Sequence, residues 1–250
     1  MKLIILGSGT CVPSLKRNSP GYYLEAEDYR LLVDCGSGTL LQLERAGKSY
    51  KNIDAVFITH KHPDHFSDLM PLIQALLATP QFKREKELLI TAPEGFAEYY
   101  EKAIASILGT PQDFLIKLAV IDETDTMEFG PLHIAAGKTV HSHDSISYRF
   151  EYGGKSVVFT GDADYDQKII DLAANADLLI ADCSFPDSQK AKGHLSSKEC
   201  GLIARKAGVK KLVLSHIYPS SIPDTERVHE AMEVFNGKIV LAEDLMVIEI

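Results

Sequence analysis

The stretch Ala55-Val56-Phe57-Ile58-Thr59-His60-Lys61-His62-Pro63-Asp64-His65 changes character halfway along: an apolar run gives way to three imidazoles and a carboxylate. The apolar part reads as a short buried strand, and Pro63 makes the rest a turn at its end. Imidazole nitrogen and carboxylate oxygen suit Zn, Fe or Mn, and a strand end presents them without a loop having to order first. A His-rich surface loop is the competing reading. Against it, other ligand types also end apolar runs: Asp162 in Thr160-Gly161-Asp162, His141 after Ile134 to Val140, and His216 after Leu212 to Leu214. Burying a lone His or Asp is costly unless it is paired or metal-bound, so the repeated placement predicts convergence on one site.

Outward from that stretch, further strands are predicted at Leu3 to Leu6, Tyr22 to Glu25, Leu31 to Val33 and Leu88 to Ile90. Helical spacing covers Gly38 to Ala46, Asp68 to Leu77 and Pro93 to Leu108. A second half begins near Val120, with strands at Leu132 to Ala135, Ile146 to Tyr152, Ser156 to Thr160, Leu178 to Ala181, Lys211 to Leu214, Lys238 to Leu241 and Met246 to Ile250. Helices are expected at Asp166 to Ala173, Ser196 to Ala207 and Asp224 to Phe235, and Gly153-Gly154 signals a hairpin. The order suggests two α/β halves whose sheets pack together with helices outside, and no linker or repeat divides residues 1–250 into separate domains.

Composition narrows the function. The chain is 45% hydrophobic and 24% charged over 250 residues, which excludes disordered and fibrous classes. No apolar run reaches the ~20 residues of a membrane span, and the start lacks a signal peptide's apolar core, so a cytoplasmic protein without membrane contact is expected. Cys11, Cys35, Cys183 and Cys200 are far apart and read as reduced thiols, Cys35 and Cys183 as buried small hydrophobes. A formal charge of -9 disfavours a polyanionic partner unless a local patch or bound metal reverses the field. Leu6-Gly7-Ser8-Gly9-Thr10 reads as a tight turn, since it lacks the Lys-Ser/Thr of a phosphate loop. His133 and His229 read as structural or exposed, Lys83 to Glu87 as a solvated loop, and His143 as the rival of His141 for one ligand position.

Taken together, H-x-H-x-D-H at His60 to His65, a later His, a Gly-Asp and a final His resemble the metallo-β-lactamase superfamily along nearly the whole chain. Leu6 to Ser14, Leu32 to Thr39, Ser147 to Glu151 and Gly193-His194-Leu195-Ser196-Ser197 are similar to its ribonuclease Z branch and phosphodiesterase relatives. The resemblance implies a four-layer αβ/βα sandwich and two divalent ions, zinc first, with manganese or iron as alternatives. It implies that His60, His62 and His141 hold one metal, Asp64, His65 and His216 the other, and that Asp162 bridges them. Asp34 would orient a ligand imidazole from beneath, and His194 would contact the scissile phosphate and protonate the leaving oxygen. Asp182 could support His194 or a ligand. Two such ions about 3.5–4 Å apart turn a bridging water into hydroxide at neutral pH, and Asp64 could accept a proton from the attacking water.

Within that superfamily, His62 rather than Glu separates the chain from diiron redox relatives, and Asp162 rather than Cys separates it from class B β-lactamases. Little chain follows His216 for a glyoxalase II-like helical domain. Three departures from ribonuclease Z stand out: no room for a long arm between His141 and Asp162, Ile217-Tyr218-Pro219-Ser220 after His216, and Phe66-Ser67-Asp68 after the first motif. The expected activity is therefore hydrolysis of small or cyclic phosphodiesters, with Asp64 and His194 catalytic and RNA a disfavoured substrate. The alternatives are a ribonuclease Z-like tRNA 3′ endonuclease, a lactonase or other ester hydrolase, and a non-catalytic small-molecule carrier. The segment Met70 to Gly109 is expected to wall the pocket, and a homodimer is left open.

Overall fold

The computed structural model describes residues 1–250. Six strands, β1 (Lys2–Gly7), β2 (Gly21–Ala26), β3 (Tyr29–Cys35), β4 (Ala55–Phe57), β5 (Leu88–Ala92) and β6 (Ile116–Val120), lie in sequence order in one sheet. The second sheet holds β7 (Thr126–Phe129), β8 (Leu132–Lys138), β9 (Ile146–Tyr152), β10 (Lys155–Phe159), β11 (Leu178–Asp182), β12 (Lys211–Ser215) and β13 (Lys238–Leu241). The last strand, β14 (Val247–Glu249), crosses back and pairs antiparallel with β1. The two α/β halves are thus not strictly sequential.

Strand alternation builds the layers. Leu3, Ile5, Leu31 and Val33 face Ile134, Phe150, Val157, Ile180 and Val213 in the core between the sheets. Their neighbours Ile4, Leu32 and Val56 face outward onto Leu69, Leu72, Ile73 and Leu76 of the helix Leu69–Ala78. On the other side Val158, Leu179, Leu212 and Leu214 pack against Ile169, Ile203, Ala204 and Ala231 from the helices Gln167–Leu172, Ser197–Ala207 and Asp224–Met232. Sheets apolar on both faces must be covered on both, and the result is helix, sheet, sheet, helix. Ser196 caps the helix Ser197–Ala207 reciprocally with Glu199, and Gly208 in the left-handed region ends it.

Two strands escape the sequence pattern. β6 and β7 are largely half-exposed edge strands, so neither carries the continuous apolar run that marks a buried one. The helical pattern from Pro93 begins at Phe96 and passes through a π-helical stretch at Tyr100–Ala105. The run Lys83 to Glu87 is not wholly solvated. Arg84 is buried and donates to the carbonyls of Lys51, Ile53, Lys86 and Glu87, satisfying loop backbone that a sequence reading cannot see. The Gly153-Gly154 hairpin forms as expected, with Tyr152 opposite Lys155.

Candidate metal centre

All the expected ligands lie at one edge of the sandwich, where parallel strands end. His60 follows β4, His141 follows β8, Asp162 follows β10, and His216 follows β12; Asp34 and Asp182 are near or at the ends of β3 and β11. His62, Asp64 and His65 sit on the turn after β4, tightened by the 3-10 helix Pro63–His65. Asp34 and His216 both have φ of 56°, a left-handed conformation uncommon for residues with a side chain and concentrated at functional sites. Gly161, at φ 58°, packs against Thr59; a Cβ there would meet the Thr59 Cβ at 2.8 Å.

Two groups of ligand atoms match the expected sets, and a third, Asp162, Asp182, His194 and His216, overlaps the second. His62 Nδ1 lies 2.9 Å from His60 Nε2 and 3.0 Å from His141 Nε2. Asp162 Oδ2 stands 3.7 Å and 3.6 Å from those same two Nε2 atoms. In the second group, Asp162 Oδ1 lies 3.2 Å from His65 Nε2 and 3.1 Å from His216 Nε2, with Asp64 Oδ2 3.7 Å from each. Asp162 therefore offers one oxygen to each group. His143 is exposed and outside both, and His141 occupies the position they contested.

The chemistry of these atoms fits divalent cations. His65 Nε2, His216 Nε2 and Asp162 Oδ1 are buried without a hydrogen-bond partner, which is rare in folded proteins and costly unless something else meets them. Their opposite ring nitrogens are engaged: His65 Nδ1 donates to Asp34 Oδ2 at 2.8 Å, and His141 Nδ1 to the Gly193 carbonyl at 2.8 Å. In the neutral ring each such bond fixes the tautomer that leaves an Nε2 lone pair pointing into the cluster. Burial opposes protonation of His65, but Asp162 and Asp34 raise it well above the ordinary histidine range, so a cation there would take the place of a proton. Burial and the imidazoles around it push His60 well below the ordinary histidine range, so it keeps its lone pair. Burial alone would raise Asp162, but His216 and His65 hold it well below the carboxylate range.

Beside the second group, Asp182 Oδ2 accepts from His194 Nδ1 at 2.9 Å, leaving Nε2 as that ring's free nitrogen. Burial opposes protonation of His194, but Asp182 outweighs it and raises the ring above the ordinary histidine range. Two hydroxyls knit the supports together and were not expected. Ser184 Oγ donates to Asp182 Oδ1 at 2.6 Å and lies 3.0 Å from His216 Nδ1 and 3.1 Å from His194 Nδ1. Thr59 Oγ1 donates to Asp34 at 3.0 Å and lies 3.0 Å from His60 Nδ1. Thr59 adjoins the motif and could have been suspected; Ser184 sits in no pattern a sequence reading would single out.

The remaining expectations resolve simply. Leu6 to Thr10 is not a tight turn: Leu6 and Gly7 end β1, and Ser8 to Thr10 continue as irregular chain anchored by Asp244, which accepts from Ser8 N at 2.9 Å. His133 pairs with Glu128 at the surface, His229 is exposed, and the cysteines are free, with Cys35, Cys183 and Cys200 buried. The helix Phe96–Tyr99 packs against Phe66, directly behind the His62–His65 turn, with ring centroids 5.6 Å apart for Phe96 and 5.1 Å for Tyr99. The open groove that borders the site lies elsewhere, between residues 9–17 and 217–225. No helix is long and apolar enough to cross a membrane.

A fold of two packed sheets with this edge constellation defines a metallo-β-lactamase-like protein. The family model of the β-lactamase superfamily domain matches residues 29–217, and the chain belongs to that superfamily, in its ribonuclease Z-like branch. It is 30% identical to a ribonuclease Z of Archaeoglobus fulgidus, covering 100% of this chain and 97% of the relative. It is 32% identical to the probable metallo-hydrolase YhfI of Bacillus subtilis, covering 97% of each. The crystal structure of the metallo-β-lactamase fold protein YhfI from Bacillus subtilis superposes with a TM-score of 0.86 at 30% identity, covering 99% of this chain and 98% of that one. The alignment to the ribonuclease Z runs over 305 positions, longer than this chain's 250 residues, whereas that to YhfI runs over 247. The ribonuclease Z therefore has segments without a counterpart here.

Proposed function

We propose that the protein is a metal-dependent phosphodiesterase acting on small or cyclic phosphodiesters. One observation supports the reading: Asp162 turns one oxygen toward His60 and His141 and the other toward His65 and His216, and His194, held by Asp182 through Nδ1, adjoins them with Nε2 free. His60, His62 and His141 would hold one divalent cation and Asp64, His65 and His216 the other, with Asp162 serving both. Cations bound there supply Lewis acidity, lowering the pKa of water and polarising a phosphoryl oxygen.

The chain's own groups do the rest. Asp64 directs Oδ2 toward His65 and His216, which leaves Oδ1 to take a proton from the attacking water. His194 holds its proton because Asp182 favours the charged ring, and from Nε2 it donates to the leaving oxygen. Asp182 and Ser184 fix the plane of that ring, so the donor is oriented before substrate arrives.

A second reading, a ribonuclease Z-like endonuclease acting on RNA, is favoured by the similarity to the Archaeoglobus ribonuclease Z over the whole chain. Charge and size weigh against it. A net -9 makes the chain as a whole repel a polynucleotide, and only the Gly153-Gly154 hairpin stands between β9 and β10, with no projecting arm.

Turnover of a chromogenic phosphodiester by zinc- or manganese-loaded protein, with metal content measured alongside, tests the proposal. Hydrolysis abolished in Asp162→Asn is expected. Fully loaded protein that hydrolyses a lactone panel but no phosphodiester would shift the assignment to an ester hydrolase; cleavage of precursor tRNA alone would favour the second reading.

A further inference from the structure

The groove between residues 9–17 and 217–225 has a volume of about 510 Å³, within the range of small-molecule pockets, about 300–1,000 Å³. It opens where the chain leaves His216, so its wall continues directly from the candidate centre. Tyr218 joins the two: its ring centroid lies 5.6 Å from that of His216 and 5.7 Å from that of His194, and it also lines the groove. Phe185 stacks on Tyr218 with centroids 5.0 Å apart and planes at 16°, and Cys11 Sγ lies 3.4 Å from the Tyr218 hydroxyl. The ring is thereby backed on one face and held at its tip, which makes it a rigid shelf.

The groove's charge is local and simple. Arg17 pairs with Asp224 at 3.2 Å, a carboxylate that Arg227 also holds at 2.9 Å, and donates to Ser8 and to the Ala242 carbonyl. Lys16 is exposed, lines the same groove and pairs with no carboxylate, so with Asp224 shared between two arginines the groove carries excess positive charge, most accessible at Lys16. In a chain of net charge -9 this is a positive spot, too small for a polyanion and sufficient for one anionic group.

We propose that this groove is the subsite for the leaving-group half of the substrate and selects a planar ring bearing a negative charge, with the ring on Tyr218 and the charge at Lys16. The side is set by His194: the group that protonates the leaving oxygen borders Tyr218. The assignment of the side rests on the phosphodiesterase reading, whereas the groove's selectivity does not.

The test uses two methyl aryl phosphodiesters, one with a 4-carboxylate and one with a 4-carboxamide on the leaving ring, and their phenols, 4-hydroxybenzoate and 4-hydroxybenzamide. Calorimetry on metal-loaded wild type is expected to show 4-hydroxybenzoate binding more tightly than the amide, by about three- to fivefold, the factor an exposed ion pair supplies. Lys16→Glu reverses the preference, and Tyr218→Leu weakens both ligands alike. The ratio of kcat/KM for the two diesters should follow the same pattern. Equal affinity for the two phenols, or a preference unmoved in Lys16→Glu, overturns the proposal. Turnover of neither diester, with the binding preference intact, would sink the hydrolase reading while upholding the groove's selectivity.

Discussion

The first sheet supplies His60, His62, Asp64 and His65 from a single turn, whereas the second supplies His141, Asp162, Asp182, His194 and His216 from separate strand ends and loops across residues 141–216. The turn's ligands are placed by local geometry: one strand end, Pro63, and a hydrogen bond from His65 N to the His62 carbonyl. The scattered set depends on the register of β8 through β12, because a slip between neighbouring strands would carry Asp162, Asp182 or His216 away from its partners. Each half also has one buried carboxylate beneath the ligands. Asp34 serves only the first half's turn, binding His65 and Thr59, whereas Asp182 reaches both His194 and His216.

That asymmetry can be broken directly, and it carries the largest expected effects. Removing a group that orients a metal ligand costs about 10–100-fold in affinity or activity. Asp34→Asn should therefore weaken metal retention by about that factor while leaving the alkaline limb of the pH–rate profile, which His194 sets as the general acid, in place once metal is saturating. Asp182→Asn should lower kcat about 10–100-fold even at saturating metal and shift the limb that reports His194, because the imidazolium loses its carboxylate. Metal titration and pH–rate profiles on both variants check this. Indistinguishable behaviour of the two would mean the carboxylates are equivalent supports and the comparison is false.

A second pair sharpens it. Arg84 in the first half and Arg227 in the second are both buried guanidiniums that donate to backbone carbonyls. Arg84 binds loops before β4 and β5, at the end of the sheet away from the ligands. Arg227 binds the carbonyls of Ser184 and Tyr218, the segments on either side of His216. Each unpaired buried carbonyl costs about 1–3 kcal/mol, and 1 kcal/mol shifts Tm by roughly 2–4 °C at this size. Arg84→Ala and Arg227→Ala should each lower Tm by at least about 4 °C. Below the transition only Arg227→Ala should lose turnover, with Arg227→Lys restoring part of it. Loss of turnover in Arg84→Ala at a temperature where it is fully folded would contradict this.

The same contrast explains what the sequence made legible. The His60–His65 turn stands out because its chemistry is contiguous, and its apolar lead-in announces the strand that presents it. Asp162, His141 and His216 could be picked out as polar ends of apolar runs, and the superfamily pattern assigned them roles; their proximity is a property of sheet order, which periodicity does not encode. Ser184 and Arg227 went unread because a serine in a loop and an arginine on a helix are ordinary until the fold buries them against His194 and Tyr218. β6 and β7 went unread because edge strands keep one side in water and lack the apolar run of a buried strand. β14 is legible as a strand, but its sheet is not, since nothing in Val247 to Glu249 says that the chain recrosses to β1.

The smallest expected effect tests whether the far edge of the second sheet matters to the site at all. Asp177 accepts from Ser156 N at 2.9 Å and pairs with Lys210 at 2.7 Å and Lys155 at 3.6 Å, on loops at the ends of the strands opposite the ligands. Burial would raise its carboxyl, but Lys210 and the Ser156 amide hold it below the ordinary range. A carboxylate whose folded pKa is depressed adds stability above its unfolded pKa and loses that contribution as pH falls through the folded value. The lysines of both pairs are exposed, so the gain is small and salt-sensitive. Asp177→Asn should therefore have a slightly lower denaturation midpoint than wild type at about pH 7, and the gap should close as pH falls through the depressed folded pKa. Turnover should be unchanged, because the substitution touches no strand end that carries a ligand. A midpoint gap that stays constant with pH would show that the Asp177 contribution is not ionic, and a loss of turnover would show that strand register at this edge is transmitted to Asp162.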